Sequence, residues 1–415
     1  MINLVEEVKS EKFGAVLKAI GVGGAGGNAV NSMITENECD GVTFYVANTD
    51  AQALEMSLCE HKIQIGSKVT KGLGAGANPE VGRRAAEEDI EQIMEYIKDA
   101  DILFLTGGLG GGTASGALPV IAQAAREKGI LTVAIVTKPF EFEGRRRSGF
   151  AQEAISILKP VVDTLIVVPN QKLIEVADPK ISMLDAFGMS NGVLRQAIFG
   201  ISNIIKRPGL INVDFADVRS VMRDMGLAIM GTGRCSGEDR AQQAAINAIS
   251  SPLLEEVSIE GAKGVLINIT GNVDLGLHEI HAAARIVHDL VNPDANIILG
   301  SVIDESMGDE VMVTVIATGF EERTLFAQSG YSAHRPIYNT SSVKYARAES
   351  IGHAEPVAAQ PQPVHHQAQP VMVKEVERPE KAQTVAPRNT YSNVDPLDIP
   401  AFMRNKQRET EQDAE

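Results

Sequence analysis

Gly21-Val22-Gly23-Gly24-Ala25-Gly26-Gly27-Asn28 and Gly107-Gly108-Leu109-Gly110-Gly111-Gly112-Thr113-Ala114-Ser115-Gly116 each follow a short apolar run, residues 15–20 and 102–106. Strand, glycine turn and helix together form a phosphate-binding loop. Without Cβ atoms, backbone N–H groups approach an anion closely, and the start of the next helix adds partial positive charge. Two such loops at the carboxyl ends of strands, where open α/β sheets bind ligands, imply a polyphosphate more readily than two unrelated tight turns.

The first run alone also fits the dinucleotide fingerprint, Gly21-x-Gly23-x-x-Gly26, with Asp50 at the end of the next strand as a ribose-binding residue. A nicotinamide-dependent enzyme is therefore a rival reading. The second run weighs against it, because a dinucleotide needs one glycine turn and Gly110, Gly111, Gly112 and Thr113 add further N–H donors and a hydroxyl. Gly23, Gly24, Gly26 and Gly27 are expected around the α- and β-phosphates, and residues 110–113 around the β and γ groups. Gly74-Ala75-Gly76-Ala77-Asn78, ahead of a helix starting near Pro79, is the expected third wall, or else a surface loop.

Apolar runs at 15–20, 42–47, 102–106, 131–137 and 165–169 alternate with helix-like stretches such as 80–98 and 118–128. That alternation predicts a parallel sheet with helices on both faces. A longer helix is expected at 182–206, stopped by Arg207-Pro208-Gly209. Beyond it, helices at 238–250 and 277–291 and strands at 264–270, 296–302 and 310–318 imply a second, smaller α/β domain. The expected divisions are an N-terminal tail (1–12), a nucleotide domain (13–181), a central helix (182–208), a second domain (209–320), a disordered linker (321–393) and a C-terminal peptide (394–415). The linker is rich in Ala, Gln, Pro, Val and His and lacks periodic apolar faces.

A chain of 415 residues with 44% hydrophobic content can bury two ordinary cores. The formal charge of −16 argues against nucleic-acid binding, which needs a basic footprint. Cys39, Cys59 and Cys235 have no metal-ligand spacing and are read as structural or incidental in a reducing cytosol. No run approaches the roughly 20 apolar residues of a membrane span, and residues 1–12 lack the parts of a signal peptide, so a cytoplasmic protein without direct membrane insertion is expected.

Gly110-Gly111-Gly112-Thr113-Ala114-Ser115-Gly116 resembles the Gly-Gly-Gly-Thr-Gly-(Thr or Ser)-Gly signature of the tubulin and FtsZ superfamily of GTPases. Ala114 replaces a glycine, which is admissible in helical φ/ψ and harmful at positive φ. The resemblance continues through Asn48-Thr49-Asp50-Ala51-Gln52-Ala53-Leu54, Gly72-Leu73-Gly74-Ala75-Gly76-Ala77-Asn78-Pro79, Thr137-Lys138-Pro139-Phe140 and Arg207-Pro208-Gly209-Leu210-Ile211-Asn212-Val213-Asp214-Phe215-Ala216-Asp217. It covers roughly residues 13 to 320 and is nearer the bacterial division-ring branch than tubulin.

The resemblance implies GTP or GDP as ligand, with Mg²⁺ and a monovalent cation such as K⁺ as accompanying ions and no protein-built metal site. It adds Ala25, Asn28, Asn48, Asp50, Gly76, Ala77, Asn78 and Ala114 to the phosphate and sugar contacts. It puts Glu143, Arg147 and Asn170 near the ribose and base and Asn191 at the guanine edge, and counts Phe187 among the nucleotide contacts; Gly192 stands where the family often has an acid. Read alone, Glu143 and Arg147 are an exposed i,i+4 ion pair worth about 0.3–0.5 kcal/mol.

Neither glycine run contains the Gly-Lys-(Ser or Thr) of a Walker loop, and no acid stands beside the γ-phosphate position to orient water. The resemblance implies that Asp214 and Asp217, supported by Asn212, supply catalytic carboxylates to the nucleotide of a neighbouring subunit in a head-to-tail homopolymer. Read alone, Asp214 and Asp217 also fit a helix-capping arrangement. The island Asp398-Ile399-Pro400-Ala401-Phe402-Met403-Arg404 resembles the family's C-terminal peptide, which binds membrane-tethering and regulatory division proteins; it implies a position at the division site beneath the inner membrane. Three readings stand: a filament-forming GTPase, a non-polymerising nucleotide or dinucleotide enzyme, and a relative that binds nucleotide without hydrolysing it.

Overall fold

The computed structural model describes residues 14–320 except 37, 38, 40, 208 and 255–258. The tail 1–12, the linker 321–393 and the peptide 394–415 lie outside the described residues. The first part of the chain runs β1 (Leu17–Val22), α1 (Gly23–Glu36), β2 (Val42–Asn48), α2 (Ala51–Glu55), β3 (His61–Gln64), α3 (Ser67–Thr70), α4 (Pro79–Glu88), α5 (Ile90–Ile97), β4 (Ile102–Gly108), α6 (Thr113–Glu127), β5 (Leu131–Lys138), α7 (Arg145–Leu158) and β6 (Thr164–Pro169). It continues through α8 (Asn170–Val176), α9 (Met183–Lys206), α10 (Phe215–Met222), β7 (Gly226–Ser236), α11 (Arg240–Ile249), β8 (Gly264–Gly271), α12 (Leu277–His288), β9 (Asn296–Ile303) and β10 (Glu310–Thr318).

All ten strands join one sheet in the order β3-β2-β1-β4-β5-β6-β7-β10-β8-β9. Strands β1 to β6 are mutually parallel wherever they pair, as the alternating sequence requires. The two halves meet through a short parallel pairing in which Thr164, Leu165 and Ile166 of β6 face Gly226, Leu227 and Ala228 of β7. Strand β10 is antiparallel to β7 and β8, so the second half is a mixed sheet.

Strand β7 is invisible to an apolar-run reading because glycines interrupt it. A Cβ on Gly231 or Gly233 would stand 2.0 Å from the carbonyl oxygen of Ala248 or Ala244 in α11, so the glycines admit a closely packed helix. The expected helix over 80–98 is two helices. Asp89 leaves helical geometry (φ −117°, ψ 18°), and its carboxylate accepts a 2.6 Å bond from the Gly66 N–H.

Helix α9 positions the functional parts. Its N-cap, Ser182, accepts the Asp185 N–H at 3.1 Å, and its apolar side, including Leu194, Ile198 and Ile201, enters the core. Ser190 near its start bonds Asn170, the first residue after β6. Lys206 at its end packs 3.3 Å from the Cβ position of Gly41, just before β2. With 24 residues, α9 carries the chain about 36 Å, from the carboxyl ends of the parallel strands to their amino ends.

Candidate functional site

The two glycine runs lie side by side, because β1 and β4 are parallel neighbours. Each strand extends two residues into its run, and the helices begin at Gly23 and Thr113. The glycines then divide by what surrounds them. A Cβ on Gly21 would lie 2.3 Å from the Gly26 carbonyl oxygen, and one on Gly26 would lie 2.6 Å from that of Thr106, so both are demanded by packing. Gly23 (φ +72°) and Gly110 (φ +95°) are demanded by backbone conformation. Gly24, Gly27 and Gly111 have neither reason: a Cβ there meets nothing within 4 Å. Gly24, Ala25 and Asn28 are exposed on the same turn. This open, Cβ-free ground beside two helix N-termini is what an approaching polyphosphate requires.

Ala114 is the second residue of α6 and has no positive φ, so its methyl group causes no strain. It sits in the seam between the runs, 3.1 Å and 3.6 Å from the Cβ positions of Gly107 and Gly23. The Ser115 hydroxyl accepts the Gly110 N–H at 2.9 Å. That donor is therefore spent inside the loop, and the open donors of the second run come from Gly111, Gly112 and the first turn of α6. The Thr113 hydroxyl pairs with that of Thr49 at 2.7 Å.

The third wall follows β2 and α3. The Thr49 carbonyl accepts the Gly74 N–H at 3.2 Å, and Gly72, Gly74 and Gly76 all have positive φ, as does Ala77 at +55°. Gly112 has no room for a Cβ, which would stand 2.7 Å from the Asn78 nitrogen. Nor do Gly82 and Gly116, at 2.1 Å from the Gly112 oxygen and 2.0 Å from the Pro79 oxygen. Glycine contacts thus press the start of α4 onto the start of α6. Asn78 and Asp50, both expected at the ligand, also cap helices: Asn78 accepts the Glu80 N–H at 3.0 Å, and Asp50 Oδ1 accepts those of Gln52 and Ala53. Asn48 is buried, and its Oδ1 accepts the Asp50 N–H at 3.3 Å.

At the far end of the cleft, Glu143 accepts the Phe140 N–H at 3.0 Å and pairs with Arg147 at 2.6 Å. The Arg147 carbonyl lies 2.7 Å from the Cβ position of Gly110, which joins this pair to the second run. Asn170 is buried, with the Ser190 hydroxyl donating to its Oδ1 at 2.8 Å, and Asn191 is half-buried next to Ser190. Phe187, one turn earlier on α9, meets Phe140 and Phe142 edge to face with centroids 5.3 and 6.4 Å away. Thr49 and Ser115 stand in motifs quoted from the sequence without a role of their own, and Ser190 and Phe142 escaped the sequence reading, although Phe140-x-Phe142-Glu143 is an available signal.

The acidic residues are elsewhere. Asn212, Asp214 and Asp217 follow α9 directly and so lie at the end of the molecule away from the glycine runs. Arg219 on α10 reaches the Gly129 carbonyl, which precedes β5, and this fixes the helix at the amino ends of the strands. Asn212 Oδ1 accepts the Gly209 N–H at 2.8 Å and holds the turn. Asp214 occupies the N-cap position of α10 but its side chain makes no capping bond. Among the described residues no side chain pairs with the carboxylate of Asp214 or Asp217, and both are exposed. No group of three or more His, Cys, Asp or Glu among the described residues is arranged to hold a metal.

A model of the Tubulin/FtsZ family GTPase domain matches residues 16–178, and a model of the FtsZ family C-terminal domain matches residues 226–321. The chain is 47% identical over 414 residues to the cell division protein FtsZ of Pseudomonas aeruginosa, covering 98% of this chain and all of that protein. It is 45% identical to the cell division protein FtsZ of Pseudomonas putida over the same shares. Among solved structures, the empty FtsZ dimer of M. jannaschii is similar with a TM-score of 0.72 and 43% identity, covering 75% of this chain and 90% of that one. The GTPγS-bound protofilament of CetZ2 from Haloferax volcanii, at 21% identity and a TM-score of 0.64 over 75% of this chain and 95% of that one, shares the fold.

Proposed function

Because the chain belongs to the FtsZ family of tubulin-like GTPases, we propose that it assembles head to tail and completes GTP hydrolysis between subunits, with Asp214 and Asp217 of one copy acting on the nucleotide of the next. The family membership makes it a GTP-binding, filament-forming division protein. The observation that carries the in-trans reading is the separation of the two halves of the site by α9, which runs on for about 22 Å from Asn191 to Lys206 before the segment with the acids begins. Among the described residues the carboxylates of Asp214 and Asp217 have no side-chain partner, and they follow the end of α9 that lies away from the glycine runs. A heterologous contact that repeats without closing into a ring brings these ends together at every interface.

In this mechanism the N–H groups of the first turn of α1, including Gly24, and those of Gly111 and the start of α6 hold the phosphates and stabilise charge as it develops on them, while Gly27 leaves room for their approach. Asp214 and Asp217 polarise the attacking water, whose oxygen bonds to the γ-phosphorus as the bond to the β-phosphate oxygen breaks and GDP leaves. Asn212 keeps the loop in shape. Glu143, Arg147, Asn170, Phe187 and Asn191 position the sugar and base. Among the described residues no three His, Cys, Asp or Glu side chains converge to hold a metal, and a Mg²⁺ ion carried in with the nucleotide would offset phosphate charge. A monovalent cation such as K⁺ would accompany it beside the phosphates.

The segment 398–404, outside the described residues, is proposed to dock membrane-tethering and regulatory division proteins. No described helix is long and apolar enough to cross a membrane. Recruitment through that peptide would hold the filament beneath the inner membrane at the division site. The catalytic proposal is tested with Asp217→Ala: GDP and GTP affinity should stay at the parent value while turnover falls at least about 100-fold. Loss of nucleotide binding in this variant would refute the in-trans assignment.

A further inference from the structure

Phe140, Phe142 and Phe187 form one aromatic group at the base end of the cleft. The rings of Phe140 and Phe142 are nearly parallel, 12° apart with centroids 5.1 Å apart, and Phe187 stands across both at 86° and 87°. Phe140 is buried, whereas Phe142 is 57% exposed and Phe187 38%. The buried ring thus fixes two exposed rings at right angles, and the resulting corner has no apolar cover among the described residues. Asn191 lies one turn beyond Phe187, so a flat edge reader and an aromatic wall share one side of α9. Glu143 follows Phe142 directly, and its carboxylate is locked by Arg147 and the Phe140 N–H.

We propose that Phe142 is a second purine-positioning residue of the nucleotide site, forming with Phe187 a perpendicular aromatic corner that receives the guanine base. A purine stacked on Phe187 would lie at right angles to Phe142, the relative orientation of an edge-to-face aromatic contact. Phe142 has no polar atom and gives no preference for one purine edge over another. Its part is to orient the base and keep water from it, while Asn191 reads the edge. The inference rests on the proposed nucleotide site and adds to it a residue that carries part of the affinity.

The test is calorimetric titration of the full chain, kept below its assembly threshold, with GDP and separately with inorganic tripolyphosphate, comparing Phe142→Ala, Phe142→Leu, Phe187→Ala and Gly24→Ala with the parent. Phe142→Ala should weaken GDP binding about 2- to 10-fold, in line with the loss of an edge-to-face aromatic pair. Phe142→Leu should recover only part of that loss, tripolyphosphate affinity should not change, and circular dichroism and melting should match the parent. Parent-like GDP affinity in Phe142→Ala, with Phe187→Ala and Gly24→Ala impaired, would overturn the role of Phe142. A raised assembly threshold in that variant would then assign the ring to the contact between copies. Parent-like GDP affinity in Phe187→Ala and Gly24→Ala as well would overturn the nucleotide site itself.

Discussion

The hydroxyls of Thr49 and Thr113 lie 2.7 Å apart, tying the turn after β2 to the first residue of α6. Thr49 is fully buried, and its carbonyl also holds Gly74. Thr49→Val keeps the shape but leaves the Thr113 hydroxyl without its partner. The expected outcome is a loss of about 1–2 kcal/mol in denaturant titration and weaker GDP binding, because the second run loses an anchor to the third wall. Unchanged GDP affinity would show that the tie is not part of the site.

Gly24 and Gly26 sit two residues apart and should behave in opposite ways. Gly26→Ala places a methyl group 2.6 Å from the Thr106 carbonyl and is expected to cost about 1–3 kcal/mol of stability, measured by thermal melting. Gly24→Ala meets nothing and should leave stability within about 0.5 kcal/mol. It should nonetheless weaken GDP binding about 10-fold by standing where phosphate oxygens meet the backbone, a loss comparable to one charged hydrogen bond.

Ala114→Gly restores the residue typical of the superfamily signature and removes a buried methyl group from the seam between the runs. Helix propensity alone predicts a loss of about 1 kcal/mol in melting experiments. GTP turnover should persist, since Ala114 is helical and its methyl group faces protein. A rise in turnover with unchanged stability would mark Ala114 as a brake on hydrolysis.

Far from the cleft, the nearly buried Arg240 donates to Glu279 at 2.8 and 3.3 Å. The Arg240 hydrogen bond, working against partial burial, holds the Glu279 carboxyl below the usual carboxylate range. A lowered folded-state pKa stabilises above the unfolded value, and that contribution disappears as pH falls through the folded value. Glu279→Gln should therefore lower stability by about 1.5–3 kcal/mol at pH 7, as expected for a hydrogen bond to a charged group. Melting curves recorded at falling pH should show the difference closing as pH drops from the ordinary glutamate range through the lower folded-state value, where the parent carboxyl takes up its proton too.

The parallel strands, the central helix and both strand–glycine–helix turns were legible because each writes a local signal: an apolar run, a 3.6-residue period, a glycine cluster. What stayed hidden depends on partners distant in the chain. Asp89 breaks the expected helix because Gly66 needs an acceptor, and β7 carries glycines because α11 packs onto them. The glycines of the runs look alike in sequence, yet Gly26 answers to Thr106 and Gly24 to nothing in the protein. Asp50 and Asn78 read as ligand contacts and are also helix caps, because a short polar side chain before a helix serves either purpose. The capping reading of Asp214 and Asp217 fails for the opposite reason: the geometry allows a side-chain cap and the structure leaves both carboxylates open.

The most direct measurement is phosphate release per subunit with GTP and Mg²⁺ across protein concentrations, recorded together with light scattering. If the acids act on the neighbouring nucleotide, turnover per subunit is negligible below a threshold concentration and climbs above it as scattering appears. Turnover that is constant with concentration, and present without scattering, would mean a complete site within one chain and would contradict the account.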